Sequence, residues 1–544
     1  MLSLHSQFKK GLAKSADMAQ LVEQRIRNAW VTSSSLVIGS KRGWAIVFNL
    51  FLECGNSSVG RAAASQAAGH GFEPRLPLTQ SLGLLSKGMS IVIASILIIS
   101  LFFIATEQWT NVNKSAVAVF ACTLGWVLYI SFGADFVGNL HAHDYEEFLD
   151  GIQPNSVAVK QYIARNVFLP YVGRAAEIVL FLMATMGIIG ILHTNGCFDF
   201  LTLWIRTNNS KLLLWKLTAI SFVISANLDN ISTIVLMLTV TNIVLPRTRD
   251  RMLYGAMVLI AVIFGGAMTV IGDPTGLVLW NHGTITATGY TKTMVLPCLL
   301  AWVIPTAVVS LRLPKTVEVE HPRMPYRGDD TNMRFWQRGI MFVVAIGGLW
   351  FIPSFTAITK LPPFLGAFCV LSLLWVVNEI FNHKLFSITR RFRADDTPQR
   401  MMYNTIQQIL YIVGVVLAVG VVIETGAIAW VSERIDSLIG NVWIVGVISG
   451  AISVVLDSFA ACITMVSLHE ISTNIPYYAV DGAYWKVLSF ATSSGGSILA
   501  FGSISGVVYM QRQGVSLSWY IKHVTPLALI GGGVGFIVLC LELI

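Results

Sequence analysis

Runs of about 20 apolar residues recur along this chain of 544 residues, and each run is long enough to cross a bilayer as a helix. Only 12% of the residues are charged, whereas soluble domains carry about 25%. These two observations predict an all-α polytopic membrane protein.

The first 88 residues differ in composition from the others. They carry a net charge of +6 out of +8 for the whole chain, and their one apolar run, Trp44 to Leu52, is too short to span and too late for a signal peptide. The strings Met18 to Ser35 and Gly55 to Arg75 resemble translations that run through tRNA genes. We expect residues 1–88 to be a disordered tail or the product of a start assigned too far upstream of Met89.

The familiar catalytic motifs are missing from the sequence. The seven cysteines are scattered without a CxxC pair, which indicates neither a metal site nor a disulfide framework. His469-Glu470 opens a string like HExxH, but Thr473 stands in place of the second histidine. Without a Walker A loop, nothing indicates ATP as the source of energy, and no cofactor is expected.

Uninterrupted apolar runs predict simple spanning helices. They are Ser90–Thr106, Ser115–Phe132, Ala175–Leu192, Met294–Leu311, Gln337–Ile352 and Pro363–Phe381. The polar connection from Gly133 to Arg174 is predicted to be a solvated segment with one or two short helices, and its His, Asp and Glu side chains are interpreted as solvated groups rather than metal ligands.

The stretch Leu217 to Leu245 is too long for one simple span, and Asp229 interrupts its middle. A carboxylate at that depth costs about 2.5–3.5 kcal/mol on insertion scales, which makes it a candidate functional residue. Two half-length apolar arms around a polar tip predict a re-entrant hairpin. Such a backbone is tolerated where it is buried in protein or lines a cavity.

The apolar run that begins at Met252 is interrupted by G-G-A-M-T-V-I-G-D-P-T-G, from Gly265 to Gly276. Two adjacent glycines, a Gly-Asp-Pro and a further glycine cannot hold a continuous helix. The sequence therefore predicts a discontinuous helix, whose freed backbone groups are suited, together with Asp273 and Thr275, to ion coordination.

The segment from Gln407 to Met510 repeats the design of Glu177 to Trp280. In both copies a glycine, an aspartate of the tip (Asp229 or Asp457) and a Gly-Gly pair follow in the same order. The glycine-to-aspartate spacings are 33 and 31, and the aspartate-to-Gly-Gly spacings are 36 and 38. Paired broken segments at matching positions in two halves indicate a transporter binding site.

Counting spans gives the relative orientation of the copies. Five crossings separate their starts, because the hairpin contributes none, and an odd number inverts the second copy. The loops that hold most Lys and Arg then share one side, which the positive-inside rule makes cytoplasmic. These loops are 194–216, 246–251, 312–336, 383–404 and 511–523. We predict a transmembrane domain of residues 89–544 with an inverted repeat, about 175–313 and about 405–544, two re-entrant hairpins and two discontinuous helices.

Five stretches resemble the ion transporter superfamily and, within it, the NhaD-type Na⁺/H⁺ antiporter family. They are S-A-N-L-D-N-I-S-T-I-V from Ser225, G-G-A-M-T-V-I-G-D-P-T-G-L-V-L-W from Gly265, S-V-V-L-D-S from Ser453, S-S-G-G-S-I-L-A-F-G-S-I-S-G-V from Ser493 and the helix E-I-V-L-F-L-M-A-T-M-G-I-I-G from Glu177. This chain has D-N-I-S-T for the family's D-N-L-T-T, G-D-P-T-G for G-D-V-T-T, and D-S-F-A for D-N-V-P.

The resemblance implies a Na⁺(Li⁺)/H⁺ antiporter of the bacterial cytoplasmic membrane, which is the inner membrane in a Gram-negative cell, with a homodimer as the family's usual state. The residues expected to bind the cation and the proton are Asp229, Asn230, Ser232, Thr233, Asp273, Thr275, Asp457, Ser458, Ser493, Ser494 and Ser503. The three aspartates among them are the expected ligands of the transported Na⁺, and Glu177, His193 and Glu424 form a second tier.

A buried carboxylate that titrates near neutral pH can carry a proton in one direction and release it when Na⁺ or Li⁺ binds, which gives exchange without ATP. Two alternatives stay open. An anion carrier of the same superfamily, for arsenite or dicarboxylates, would share the fold, although three acidic residues at the breaks disfavour a di-anion. A membrane-embedded aspartyl enzyme would use the buried carboxylates, but no hydrolase motif accompanies them. We expect a transporter and not an enzyme, with membrane lipid, monovalent cations and protons as partners and no nucleic acid.

Overall fold

The structure is a computed structural model that describes residues 78–110, 112–149, 155–198, 204–205, 207–319, 333–382 and 397–544. Residues 1–77, on which most of the expectation for the N-terminal segment falls, lie outside the described residues. The described helices of eight residues or more are Leu78–Ala105, Lys114–Ser131, Gly133–Leu140, Ala142–Leu149, Leu169–Thr194, Ser210–Asn227, Asn230–Val244, Thr248–Ala267, Pro274–Asn281, Ala287–Arg312, Phe335–Thr359, Pro363–Asn382, Thr397–Glu424, Ala427–Leu438, Val442–Val455, Ser458–Val466, Ala483–Ile498, Ile504–Gln513 and Thr525–Leu543. Shorter helical segments are Glu107–Thr110, Ser156–Tyr162, Ile163–Phe168, Pro476–Tyr478, Ala500–Gly502 and Leu517–His523.

Nine helices within these ranges are long and apolar enough to cross a membrane. The protein is therefore a multi-pass membrane protein with an all-helical fold, as the apolar runs predict. Its side chains agree with this, because large apolar residues such as Ile98, Val343 and Leu541 are 66–70% exposed on the outer faces of spanning helices.

The third span begins earlier than predicted. The helical segment extends from Ser156 to Thr194 over 39 residues, with a π-helical stretch at Ile163–Phe168, so the expectation of a start at Ala175 is wrong. Asn155 caps the helix by accepting a hydrogen bond from the backbone N–H of Ala158 at 2.7 Å. Apolar residues four apart, such as Val159 and Ile163, then bury one helical face, which stabilises the added turns.

Two helices joined by two non-helical residues form the first hairpin. Its arms are Ser210–Asn227 and Asn230–Val244, and Leu228 and Asp229 form the tip. The backbone of Asp229 is extended, with φ −66° and ψ 150°, which ends one helix and starts the next. The polar break predicted within Leu217 to Leu245 is therefore confirmed.

The first broken helix follows the first hairpin. Its halves are Thr248–Ala267 and Pro274–Asn281, with the glycine-rich break between them. Pro274 opens the second half, where its missing N–H costs no helical hydrogen bond. The discontinuous helix predicted for this stretch is confirmed.

Two hydrogen bonds align the first hairpin with the first broken helix. The Tyr254 hydroxyl donates to the backbone oxygen of Ser210 at 2.9 Å, close to where both segments begin. The Ser225 hydroxyl donates to the backbone oxygen of Val262 at 2.7 Å, close to where both are interrupted. Since only the short link 245–247 joins the second arm to the broken helix, the hairpin returns to the end at which it started.

The second copy repeats this arrangement. The second hairpin has the arms Val442–Val455 and Ser458–Val466, and the second broken helix has the halves Ala483–Ile498 and Ile504–Gln513. The Ser453 hydroxyl donates to the backbone oxygen of Thr492 at 2.6 Å. Ser453 and Ser225 both stand four residues before the aspartate of their tip, so the same hydrogen bond joins hairpin to broken helix in both copies.

The two broken helices run in opposite directions. Near the start of the first, the backbone oxygen of Met252 accepts a hydrogen bond at 2.7 Å from Tyr509, which lies in the last half of the second. Beyond the end of the first, the backbone oxygen of Thr284 accepts one at 2.9 Å from the N–H of Asp481, which precedes the second. The start of each broken helix therefore lies beside the end of the other, which means that the second copy is inverted relative to the first.

Labelling of single cysteines should report this inversion. In a variant without the native cysteines, we expect Arg249→Cys, before the first broken helix, to react with a membrane-impermeant maleimide from the cytoplasmic side. Asn474→Cys, before the second, should react from the opposite side. Both positions are exposed, so labelling of both from one side would contradict the inverted repeat.

Candidate functional site

Asp229 forms the tip of the first hairpin and is 3% exposed. Its Oδ2 accepts hydrogen bonds from the backbone N–H groups of Ile231 at 3.1 Å and Ser232 at 3.0 Å, which caps the second arm. Its Oδ1 is buried and has no hydrogen-bond partner. An orphaned carboxylate oxygen in the interior needs a proton or a cation to offset its lost hydration.

Asn230 connects this tip to the break of the neighbouring helix. Its Oδ1 lies 2.6 Å from the Ser225 hydroxyl, whose one proton it shares with the backbone oxygen of Val262, and its Nδ2 donates to Oδ1 of Asp273 at 3.1 Å. This close approach requires a glycine at position 266, because a Cβ there would lie 1.9 Å from Oδ1 of Asn230. The Gly-Gly motif thus lets the two interrupted elements meet.

Asp273 receives neutral hydrogen-bond donors on both oxygens. Besides the amide of Asn230, the Thr275 hydroxyl donates to Oδ2 at 2.5 Å and the Ser493 hydroxyl donates to it at 3.2 Å. Ser493 belongs to the second broken helix, so both copies of the repeat contribute to the surroundings of this carboxylate.

Asp457 takes the place of Asp229 in the second hairpin. Its Oδ1 accepts a hydrogen bond from the backbone N–H of Phe459 at 3.0 Å, as expected of a helix cap. Its Oδ2 lies 3.0 Å from Nζ of Lys114, at the start of a spanning helix outside both repeats. The two tip aspartates therefore have different electrostatic partners.

The second break is neutral where the first is acidic. Ser503 occupies the position of Asp273 and caps the following half-helix by accepting a hydrogen bond from the N–H of Gly506 at 3.1 Å. Ser458 occupies the position of Asn230 and has no amide. Charge and amide groups are therefore concentrated in the first copy.

A cavity of about 40 Å³ lies between the two tips and the two breaks. It is large enough for a small cation with one or two waters, since one water needs about 10–15 Å³ of such volume. Its lining is Asp229, Asn230, Ile231, Ile263, Asp273, Pro274, Gln408, Asp457, Ser458, Phe459, Ser493, Ser503, Ile504 and Ser505. Seven of the eleven residues expected in the site thus surround one space.

The other four expected residues lie close by but not on the cavity wall. Thr275 bonds to Asp273, and Thr233 is fully buried with an unpartnered hydroxyl one turn after Asp229. Ser232 contributes its backbone N–H to the cap. Ser494 contacts the last helix instead, because a Cβ added to Gly532 of that helix would lie 2.1 Å from the Oγ of Ser494.

A family model described as "Citrate transporter" matches residues 81–491, which is most of the chain. The chain belongs to this family. It is 30% identical to "Sodium/proton antiporter 1" of Arabidopsis thaliana, over 66% of this chain and 61% of that protein. It is 28% identical to "Sodium/proton antiporter 2" of the same plant, over 65% of this chain and 83% of that protein. It is 24% identical to "Na(+)/H(+) antiporter NhaD" of Vibrio cholerae, over 80% of this chain and 89% of that protein. The likeness to NhaD-type antiporters seen in the motifs is therefore confirmed.

The second-tier residues of this citrate transporter family member do not line the cavity. Oε2 of Glu424 lies 2.6 Å from Nε2 of His141, and its Oε1 accepts a hydrogen bond from the Tyr171 hydroxyl at 2.8 Å. Glu177 is half-buried on the long helix, and His193 lies near the end of that helix. These three residues form no common site with the aspartates.

We expect Glu424→Gln to lower stability rather than to abolish transport. The substitution removes a charge that Tyr171 and His141 both contact, which is worth about 1–3 kcal/mol for hydrogen bonds to a charged group. Thermal unfolding of the purified protein should report a lower melting temperature, while exchange at low temperature persists. Asp144→Asn, at an exposed carboxylate, is the control and should change neither. Loss of all exchange in Glu424→Gln at full folded yield would contradict this.

The sequence does not single out Gln408 and Ser505, which line the cavity, or Lys114, which contacts Asp457. A single lysine before an apolar run is typical of an interfacial residue, so nothing local marks Lys114. Gln408 is 6% exposed with an unpartnered Nε2, but no motif marks it. Ser505 could have been found, because it follows Ser503 as Thr275 follows Asp273.

The three aspartates approach the cavity from different elements. Among the residues that the structure describes, no three Asp, Glu, His or Cys side chains come close enough to hold one ion. A cation in this cavity would therefore take at most two of the carboxylates, with hydroxyl, amide or backbone oxygens to complete its coordination.

Proposed function

We propose that the protein exchanges Na⁺ or Li⁺ for protons as a secondary transporter. The relatives named as sodium/proton antiporters support this, and so does a cavity lined by three carboxylates, one of which is paired with the ammonium group of Lys114. Exchange of this kind needs neither ATP nor a cofactor.

The observation that carries the proposal is the orphaned Oδ1 of Asp229. This oxygen is buried, belongs to a residue that lines the cavity, and accepts no hydrogen bond from the residues that the structure describes. A proton or a small cation can each neutralise it, but both cannot do so together. Competition of two cations for one oxygen couples the outward movement of one to the inward movement of the other.

Hydroxyl and amide oxygens near this carboxylate fit a hard monovalent cation. Asn230, Ser458 and Ser503 line the same cavity. Oxygen donors of low charge suit Na⁺ and Li⁺, which are compact cations with firmly held hydration shells. We infer that Asp229 exchanges the proton, while Asp273 orients Asn230 and strengthens the negative field.

Anion transport, to which the description of the family model points, fits the cavity less well. A volume of about 40 Å³ is far below the size of pockets that enclose organic ligands, about 300–1,000 Å³. The wall also carries three carboxylates, of which only Asp457 is paired with an ammonium group, so it repels a citrate or dicarboxylate. The structure thus favours a small cation.

Purified protein in proteoliposomes that contain a pH-sensitive dye tests the proposal. A Na⁺ or Li⁺ gradient should change the internal pH, whereas K⁺, arsenite, succinate and citrate should not. Protein-free liposomes control for leakage. A response to citrate or succinate without a response to Na⁺ would establish the anion carrier instead.

We further propose that the protein works in the bacterial cytoplasmic membrane as a homodimer. Crosslinking of the protein in proteoliposomes, followed by denaturing electrophoresis, should give a band at twice the mass of one chain, which is 59.5 kDa.

A further inference from the structure

Lys114 lies outside both copies of the repeat, yet its side chain contacts the aspartate at the tip of the second hairpin. Its Nζ lies 3.0 Å from Oδ2 of Asp457, with the lysine side chain 15% exposed and the aspartate 4% exposed. The same ammonium lies 4.7 Å from the centroid of the Tyr411 ring. An ammonium group withdrawn from water needs a carboxylate and other compensating contacts, and this one has both a carboxylate and an aromatic face.

Asp229, the equivalent aspartate of the first hairpin, has different surroundings. Asp229 and Asp457 cap equivalent arms of the two hairpins and line the same cavity. In the described part of the chain, no lysine, arginine or histidine lies within ion-pair distance of Asp229, and its Oδ1 is unpartnered. The inverted repeat thus provides two similar half-sites, and a side chain of the protein occupies one of them.

We propose that Lys114 is a tethered cation that fills the second half-site, so that the protein keeps one exchangeable cation site, on Asp229. Asp457, which lines the cavity, is then a positioning residue that neutralises Lys114, and not a ligand of the transported ion. This inference rests on the proposed Na⁺/H⁺ exchange.

The two charges of the pair should have opposite effects when they are removed separately. Asp457→Asn leaves an uncompensated ammonium beside the cavity, which repels Na⁺. Lys114→Gln leaves an uncompensated carboxylate, which takes up an additional cation. Removal of both charges leaves the net charge at the cavity unchanged, so the double variant should behave more like the wild type than Asp457→Asn does.

Exchange assays in proteoliposomes test this for the wild type, Asp457→Asn and the double variant Lys114→Gln/Asp457→Asn. We expect Asp457→Asn to raise the Na⁺ concentration for half-maximal exchange at least about tenfold, and the double variant to return to within about threefold of the wild type. A double variant as impaired as Asp457→Asn would overturn the inference, because Asp457 would then be a direct ligand.

Equilibrium binding of ²²Na⁺ to the detergent-purified proteins tests the role of Lys114 independently of transport. The wild type should bind one Na⁺ per chain, Lys114→Gln should bind two, and the double variant should bind one. A wild type that binds no Na⁺ would contradict the proposed function itself. A Lys114→Gln variant that binds one Na⁺, like a binding-competent wild type, would overturn only the role of Lys114.

Discussion

Asp229→Asn should abolish Na⁺-dependent proton movement. Asparagine is almost as good a helix cap as aspartate, so the hydrogen bonds from Ile231 and Ser232 that hold the hairpin tip can persist. The buried Oδ1 loses its charge and can no longer bind a proton and a cation alternately. We expect at least about a 100-fold loss of apparent Na⁺ affinity, or about 3 kcal/mol.

The assay is dye quenching in inverted vesicles, with protein amounts matched by immunoblot. Asp481→Asn is the matched control, because that carboxylate also accepts a hydrogen bond from a backbone N–H, that of Thr286 at 2.9 Å, but lies outside the cavity. It should exchange like the wild type. Retained Na⁺-dependent quenching in Asp229→Asn would remove the central residue of the proposed mechanism.

Gly266→Ala should be equally damaging for a steric reason. The added Cβ would lie 1.9 Å from Oδ1 of Asn230 and 2.8 Å from the backbone oxygen of Gly272. Both contacts are too short: Gly272 contributes a backbone atom, and the amide of Asn230 is held by hydrogen bonds with Ser225 and Asp273. The hairpin and the broken helix must therefore move apart, which separates Asn230 from Asp273 and costs about 1–3 kcal/mol of stability or more.

The control for this substitution is another helical glycine with open surroundings. Gly190 is exposed and has no atom within 4 Å of an added Cβ. Gly190→Ala should keep full exchange and gain slightly in stability, since alanine favours a helix by about 1 kcal/mol over glycine. Thermal unfolding and exchange rates should be measured for both variants. Equal behaviour of the two alanine variants would contradict the close approach at Gly266.

The breaks of the fold could be predicted because their causes are local. A carboxylate within an apolar run and a Gly-Asp-Pro that follows a glycine pair both disfavour a continuous helix, so the positions near Asp229, Asp273 and Asp457 follow from the sequence alone. A glycine pair by itself is not sufficient, because Gly347-Gly348 lies within a continuous helix. The inversion followed from the number of spans, and the antiparallel broken helices confirm it.

Contacts between distant parts of the chain could not be predicted in this way. The ion pair of Lys114 with Asp457 joins residues 343 positions apart, and a lysine at the edge of a span has the same local sequence whether it faces headgroups or a carboxylate. Ser494 follows Ser493, but helical geometry turns the two hydroxyls about 100° apart, so only one reaches the cavity.

The helix from Ser156 to Thr194 has one further consequence. At about 1.5 Å per residue, its 39 residues are about 58 Å long, almost twice the hydrocarbon thickness of about 30 Å. An upright helix of this length must rise several turns above the lipid tails. Lys160 and Arg165 are exposed on its first turns, where they can contact lipid phosphates. These charged first turns would then hold the protein at a fixed depth in the bilayer.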